Sequence, residues 1–219
     1  MTHRHIVLAG DSIFDNDGYV PGEPGVIEQL RRTIPPEWSA SKVAVDGDCV
    51  RHVAGQIGAV GALPTNATDL VVSVGGNDAL GSAALLADVR SPADLPALLR
   101  EPLAAFRTDY QAMLDAARAT GLRVHVCTIY TAVPFDEEFL RTFAPLGIAA
   151  FNEVIGAEAA ERNIPVIRLE RVCTAPDDYA AISPIEPSAK GGQKIVDAIV
   201  GALGESHSRA VRLSRKEVS

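Results

Sequence analysis

Val7-Leu8-Ala9-Gly10-Asp11-Ser12 carries an apolar run straight into a glycine, an acid and a hydroxyl. A run this short and this uniformly apolar reads as a strand buried on both faces, begun at Ile6 and ended at Gly10. Three further runs have the same character: Lys42–Val45, Leu70–Gly75 and Val124–Tyr130. A fifth, Ile164–Leu169, contains Pro165 and is expected to start late or lie at an edge. Helical patterns stand between them, at Val26–Ile34, Val50–Val60, Ala93–Thr120, Phe139–Arg162 and Ser188–Leu203. Pro96 and Pro102 divide the third into a short helix and a longer one, whereas Pro145 is expected to leave the fourth unbroken. Alternating strands and helices imply an α/β fold, a three-layer sandwich with a parallel five-stranded sheet between two helical layers.

The bulk properties fit one domain. The chain has 219 residues, 47% of them hydrophobic, which suffices for a core without disulfides or metal. Residues 1–204 read as a single unit and 205–219 as a polar tail in which Arg209, Arg212, Arg215 and Lys216 cluster. A formal net charge of −8 argues against nucleic acid or an anionic membrane as partner. The apolar run after Met1-Thr2-His3-Arg4-His5 is too short for a signal-peptide core, and no stretch approaches a membrane span. Cys49, Cys127 and Cys173 have no paired spacing and are expected to be buried free thiols of a cytoplasmic protein. Composition does not bear on oligomeric state.

Ligands of an open parallel sheet sit beyond the carboxyl ends of its strands. Ser12, Gly47, Asn77 and Glu186 all fall just past predicted strands or at a helix start, so they are expected to converge there. Acyl transfer needs a nucleophilic oxygen, a base and donors aimed at the developing oxyanion. Ser12 supplies the oxygen, Asn77 an amide N–H, and Gly47 a backbone that a ligand can approach. Each also has a plain structural role open to it, Ser12 as a helix cap and Asn77 as a turn residue. Asp11 and Asp78 are expected to brace loops.

Gly10-Asp11-Ser12-Ile13, Asp46-Gly47 and Gly75-Gly76-Asn77-Asp78, in this order, resemble the sequence blocks of the GDSL/SGNH hydrolases, a family of esterases and lipases. The resemblance spans roughly residues 5 to 203 and implies a flavodoxin-like fold. It also implies Ser12 as nucleophile of an acyl-serine reaction, with Gly47 and Asn77 in the oxyanion hole and a small-molecule ester as substrate. Acyltransfer or thioester hydrolysis would use the same residues, and a binding protein on the same fold is the reading from another class.

The family's last block reads Asp-x-x-His-Pro, and here the matching stretch is Ser183-Pro184-Ile185-Glu186-Pro187. Serine replaces the aspartate and Glu186 the histidine. The two changes are physically consistent, since a carboxylate has no N–H for an orienting aspartate to accept and would be repelled by one. Glu186 is therefore the expected general base, provided burial lifts its pKa from about 4.3 toward neutrality. His52 is the histidine best placed to substitute, and His125 reads as core. Asp15, Asn16, Asp17, Asp46 and Asp48 could supply oxygens to a divalent cation but lack a calcium-loop spacing, so no metal or cofactor is expected. The chain has no Walker loop, dinucleotide fingerprint, Gly-x-Ser-x-Gly elbow or His-Glu-x-x-His. Leu80–Pro102 reads as a packing helix pair, with a lip over the site as the other possibility.

Overall fold

The computed structural model describes residues 3–59 and 62–216, and no side chain is described for 86–88 or 205–216. Its strands are β1 (Arg4–Gly10), β2 (Trp38–Lys42), β3 (Asp69–Ser73), β4 (Arg123–Cys127) and β5 (Val166–Ile167). They form one parallel sheet in the order β2-β1-β3-β4-β5. A hairpin of β6 (Tyr179–Ala180) and β7 (Ser183–Pro187) stands apart as a second, two-stranded sheet. The helices are α1 (Val26–Thr33), α2 (Val50–Gly58), α3 (Gly76–Gly81), α4 (Leu95–Leu98), α5 (Arg100–Ala119), α6 (Glu138–Glu161) and α7 (Ala189–Lys216).

Because β1 and β3 are covered on both faces, their alternate residues feed two cores. Ile6, Leu8 and Val71 pack on one side with Leu30 of α1 and Ile195 and Ile199 of α7. Val7, Ala9, Leu70 and Val72 pack on the other with α2, α5 and α6, through Val53, Met113, Phe151 and Ile155. This is the three-layer α/β/α sandwich that the sequence implies.

Two strands differ from expectation. β2 is Trp38–Lys42, not Lys42–Val45. It is an edge strand, so its serines need not be apolar, and Ser39 and Ser41 each hydrogen-bond a ring nitrogen of His5 at 2.8 Å. Val43 and Val45 still donate to Leu8 O and Gly10 O, but the chain there is leaving the ladder. β5 shrinks to two residues, as Pro165 and its edge position allow. α2 ends at Gly58, and the Val60 end expected for it lies outside the described residues. α6 runs through Pro145 and α7 continues to Lys216, past residue 204, with the tail's basic side chains outside the description. Cys127 and Cys173 are buried thiols, whereas Cys49 is only half-buried. Among the described residues no helix is long and apolar enough to cross a membrane.

At the amino end of the sheet, buried Asp69 accepts from Arg4 and Arg123 at 2.7 to 3.1 Å. Arg4 also donates to Leu203 O at 3.0 Å, tying α7 to the sheet. At the carboxyl end the determining residue is Gly10, with a φ of +127°. A Cβ placed there would lie 1.8 Å from Ser73 O, the same carbonyl that accepts from Asp11 N at 3.1 Å. Strain and overlap act together at this position. Gly10→Ala is expected to cost at least about 3 kcal/mol or prevent folding, as measured by urea denaturation.

Candidate active site

Ser12 lies in the tight turn that follows β1, where Phe14 N and Asp15 N both donate to Asp11 O at 3.1 Å. Gln56 of α2 fixes the turn's origin, accepting from Gly10 N at 2.8 Å and donating to Gly10 O at 2.7 Å. Asn77 is in the first turn of α3, directly after β3. Glu186 belongs to β7 and is 4% exposed. The three converge on one cavity at the carboxyl ends of the strands, with Ser12, Asn77 and Glu186 all in its wall. Four residues were expected to meet here, Ser12, Gly47, Asn77 and Glu186, and the cavity brings together all but Gly47.

Gly47 does not line that cavity, and its loop is linked to it through Asn77. Gly47 sits at a φ of +81°, a conformation suited to glycine. Asn77 Nδ2 donates to Asp48 O at 2.9 Å, and Asp46 N donates to Asp15 Oδ2 at 2.9 Å, so the loop is held from both sides. Asp78 accepts from Val50 N at 3.0 Å and Asp11 Oδ1 from Ile13 N at 3.1 Å, the bracing roles expected of both.

Glu186 is placed by its neighbours in the chain. Asn16, completely buried, donates to Pro187 O at 3.1 Å and accepts from Val26 N at 2.8 Å. The Tyr130 hydroxyl donates to Ile185 O. Ser188 Oγ accepts from Gly191 N at 3.1 Å, capping α7 immediately after the hairpin. Asn16 lies just past the first sequence block, and a role for it in seating Glu186 has no signal in the local pattern. The same holds for Gln56 and Tyr130.

Burial pushes the Glu186 carboxyl above its ordinary pKa of 4.5. The nearby Ser183 hydroxyl opposes that rise, the nearby Asp46 charge adds to it, and the nearby Ser12 hydroxyl again opposes it. Burial outweighs both hydroxyls. Glu186 Oε2 is itself buried without a hydrogen bond, leaving lone pairs unused. His52 is engaged elsewhere: its Nδ1 accepts from Cys49 N at 3.0 Å, Arg51 Nε lies 3.2 Å from Nε2, and the ring is not in the cavity wall. Asp15 is bonded to Lys42 and Asp46 N. Among the described residues no group of three His, Cys, Asp or Glu side chains is arranged to hold a metal ion.

The sequence profile of the GDSL-like Lipase/Acylhydrolase family matches residues 8–194, and the chain belongs to that family. No curated protein matches it in sequence. Among solved structures it is similar to the lipase Lip_vut3 from a goat rumen metagenome, at 21% identity and a TM-score of 0.69, over 92% of this chain and 97% of that one. It is also similar to the psychrotrophic esterase EstA from Pseudoalteromonas sp., at 14% identity and a TM-score of 0.68, over 94% and 99% of the two chains. Phospholipase A1 from Streptomyces albidoflavus NA297 aligns at 17% identity and a TM-score of 0.67, over 92% and 100%. At these identities the likeness is one of fold.

Asp11 offers a test of the site's electrostatics. Burial, with smaller contributions from the charges of Asp78 and Glu186, pushes its carboxyl from 3.8 up to about 7. The folded state thus binds this proton more tightly than the unfolded chain. Its stabilising contribution is full below pH 4 and is lost as pH rises from about 4 to about 7. At about 1.4 kcal/mol per pH unit the loss is on the order of 4 kcal/mol. Asp11→Asn is expected to remove it, so denaturation from pH 4 to 8 should show the variant gaining on the wild type as pH rises.

Proposed function

We propose that this GDSL-family hydrolase cleaves carboxylic esters through an acyl-Ser12 intermediate, with Glu186 as general base. The observation that carries the reading is the convergence of Ser12, Asn77 and the buried Glu186 carboxyl, its pKa raised by burial, in the wall of one largely apolar cavity. A base works best when its pKa approaches the working pH, and burial moves Glu186 in that direction.

In the first step Ser12 Oγ bonds to the ester carbon and its proton passes to Glu186. The oxyanion is held by the Ser12 N–H and the Asn77 amide, while the Gly47 loop, outside the cavity wall, steadies Asn77 through Asp48 O. Asn77 has two amide hydrogens, and only one is used by Asp48 O. Collapse breaks the bond to the alcohol oxygen, which receives the proton from Glu186. In the second step water adds to the acyl carbon, giving a proton to Glu186, and Ser12 leaves with that proton restored. Ser183 acts as a positioning residue, occupying the carboxyl with a neutral donor where a second carboxylate would repel it.

An alkyl phosphonate ester is expected to label Ser12 covalently, and absence of labelling at any pH would favour a binding protein instead. Glu186→Gln should lower kcat/KM by roughly 10²- to 10⁴-fold, and a wild-type rate would rule Glu186 out as base. Activity should rise with pH through a pKa above 4.5, since the base must be ionised. Ser183→Ala removes a bond that lowers this pKa and should move the acid limb to higher pH.

A further inference from the structure

The hairpin that carries Glu186 cannot hold itself in place. Its strands pair irregularly, Tyr179 with Pro187 and Ala180 with Ser183, with a register shift between them. Pro184 and Pro187 have no N–H to donate, and Ile182 at the tip is 63% exposed. Asn16 and Tyr130 grip the backbone beside Glu186, at Pro187 O and Ile185 O. The base of the hairpin is held at Asp178, which is completely buried. Its carboxyl accepts from Thr174 N at 2.9 Å and Ala175 N at 3.0 Å, closing the turn Pro176–Asp178. Its carbonyl accepts from Ser188 N at 2.9 Å, so one residue ties together both ends of the hairpin. Lys194 of α7 donates to Asp178 Oδ2 at 2.8 Å and lies 2.6 Å from Oδ1. Gly191 lets α7 come this close, since a Cβ there would lie 2.0 Å from Asp178 O.

We propose that Asp178 is a positioning residue for Glu186, with Lys194 as the cation that anchors it to α7. The inference rests on Glu186 as base and goes beyond it in naming what fixes that base. An imidazole can be oriented through its N–H by an acid, but a carboxylate has no such handle. Ser183 offers only a rotatable hydroxyl, so the direction of Glu186 has to come from its backbone. That backbone leaves Asp178 through Tyr179 and returns to it at Ser188. Removing part of the clamp therefore lets the hairpin shift as a body, taking Glu186 away from Ser12 and toward water. Burial works against the Asp178 charge, but Lys194 and the N–H groups of Ala175 and Thr174 outweigh it. They hold the carboxyl below its ordinary 3.8, so the clamp stays charged wherever Glu186 can act as base. Cys173 and Tyr179 beside it are pushed up by burial and stay neutral, and Lys190 adds positive charge.

The test is the acid limb of the pH–rate profile for p-nitrophenyl butyrate in Lys194→Met, made in the full chain. kcat/KM is expected to fall by roughly 10- to 100-fold, as for a displaced catalytic group. The limb is expected to move down toward 4.5, because Glu186 loses burial, the largest cause of its raised pKa. Direct loss of a positive charge would move the limb up instead, and a less stable fold alone would not move it. Asp11, Asp46, Tyr19 and Tyr130, the titratable groups around Glu186, are unchanged in the variant. Lys194→Arg keeps the cation and should keep both the rate and the limb. Asp178→Asn combined with Lys194→Met leaves no buried charge unpaired, and it decides the matter if Lys194→Met does not fold. A limb that stays or moves up in a folded variant would overturn the clamp, whatever the rate. Should no ester be hydrolysed, or Glu186→Gln keep the wild-type rate, the base reading falls separately. Carbon-13 titration of the Glu186 carboxyl in the folded clamp variant then decides. A pKa moved toward 4.5 supports the clamp, and an unmoved one overturns it.

Discussion

The close approach of Gly10 to the Ser73 carbonyl is the constraint on which the site depends. β1 and β3 are adjacent and buried on both faces, so their carboxyl ends can meet only if one backbone carries no side chain there. Gly10 provides that. Asp11 N then reaches Ser73 O, the chain turns at once, and Ser12 is held at the mouth of the sheet. Gln56 closes the arrangement from α2 by bonding both backbone groups of Gly10 and, through Nε2, Asp48 Oδ2 at 2.7 Å. The serine turn, the Gly47 loop and Asn77 are thereby one hydrogen-bonded unit.

The second half of the site is built onto this one by buried polar contacts. Asn16 and Tyr130 hold the backbone on either side of Glu186, so the carboxyl has little freedom to move away from Ser12. Several acids share the region, and burial raises Asp11, Asp78 and Glu186 alike. Carboxyls so placed cannot all ionise at low cost, and they release their protons over a range. Asp11, fully buried, holds its proton up to about 7. Glu186, whose ionised form the nearby Ser183 and Ser12 hydroxyls favour, is the better placed to carry charge beside the serine. The chemistry proposed for the site follows from that division.

Much of this was legible from residues alone. β1 and β3 carry short Val, Ile and Leu runs because both faces are covered, β4 carries Val124 and Val126 around His125, and the helices between them have clear stops at Pro35 and Gly121. Ser12, Asn77 and Glu186 could be expected together because each follows a strand or precedes a helix on the same sheet edge. β2 was obscured because an edge strand can carry serines bonded to His5, which leaves no apolar pattern. The β6–β7 hairpin was obscured because Pro184 and Pro187 lack N–H groups and its pairing is short and irregular. What seats Glu186 had no sequence signal at all. A side-chain amide bonding a carbonyl 171 residues away leaves no periodicity and no spacing.

The proposed chemistry depends on the buried Glu186 carboxyl sharing its cavity with the Ser12 hydroxyl and sensing it. Its most direct test is a carbon-13 NMR titration of the Glu186 carboxyl in the wild type and in Ser12→Ala. A wild-type pKa above 4.5 is expected, with a further rise in the variant, because the hydroxyl that favours the ionised form is gone. A carboxyl that titrates at or below 4.5 and does not respond to Ser12→Ala would contradict it.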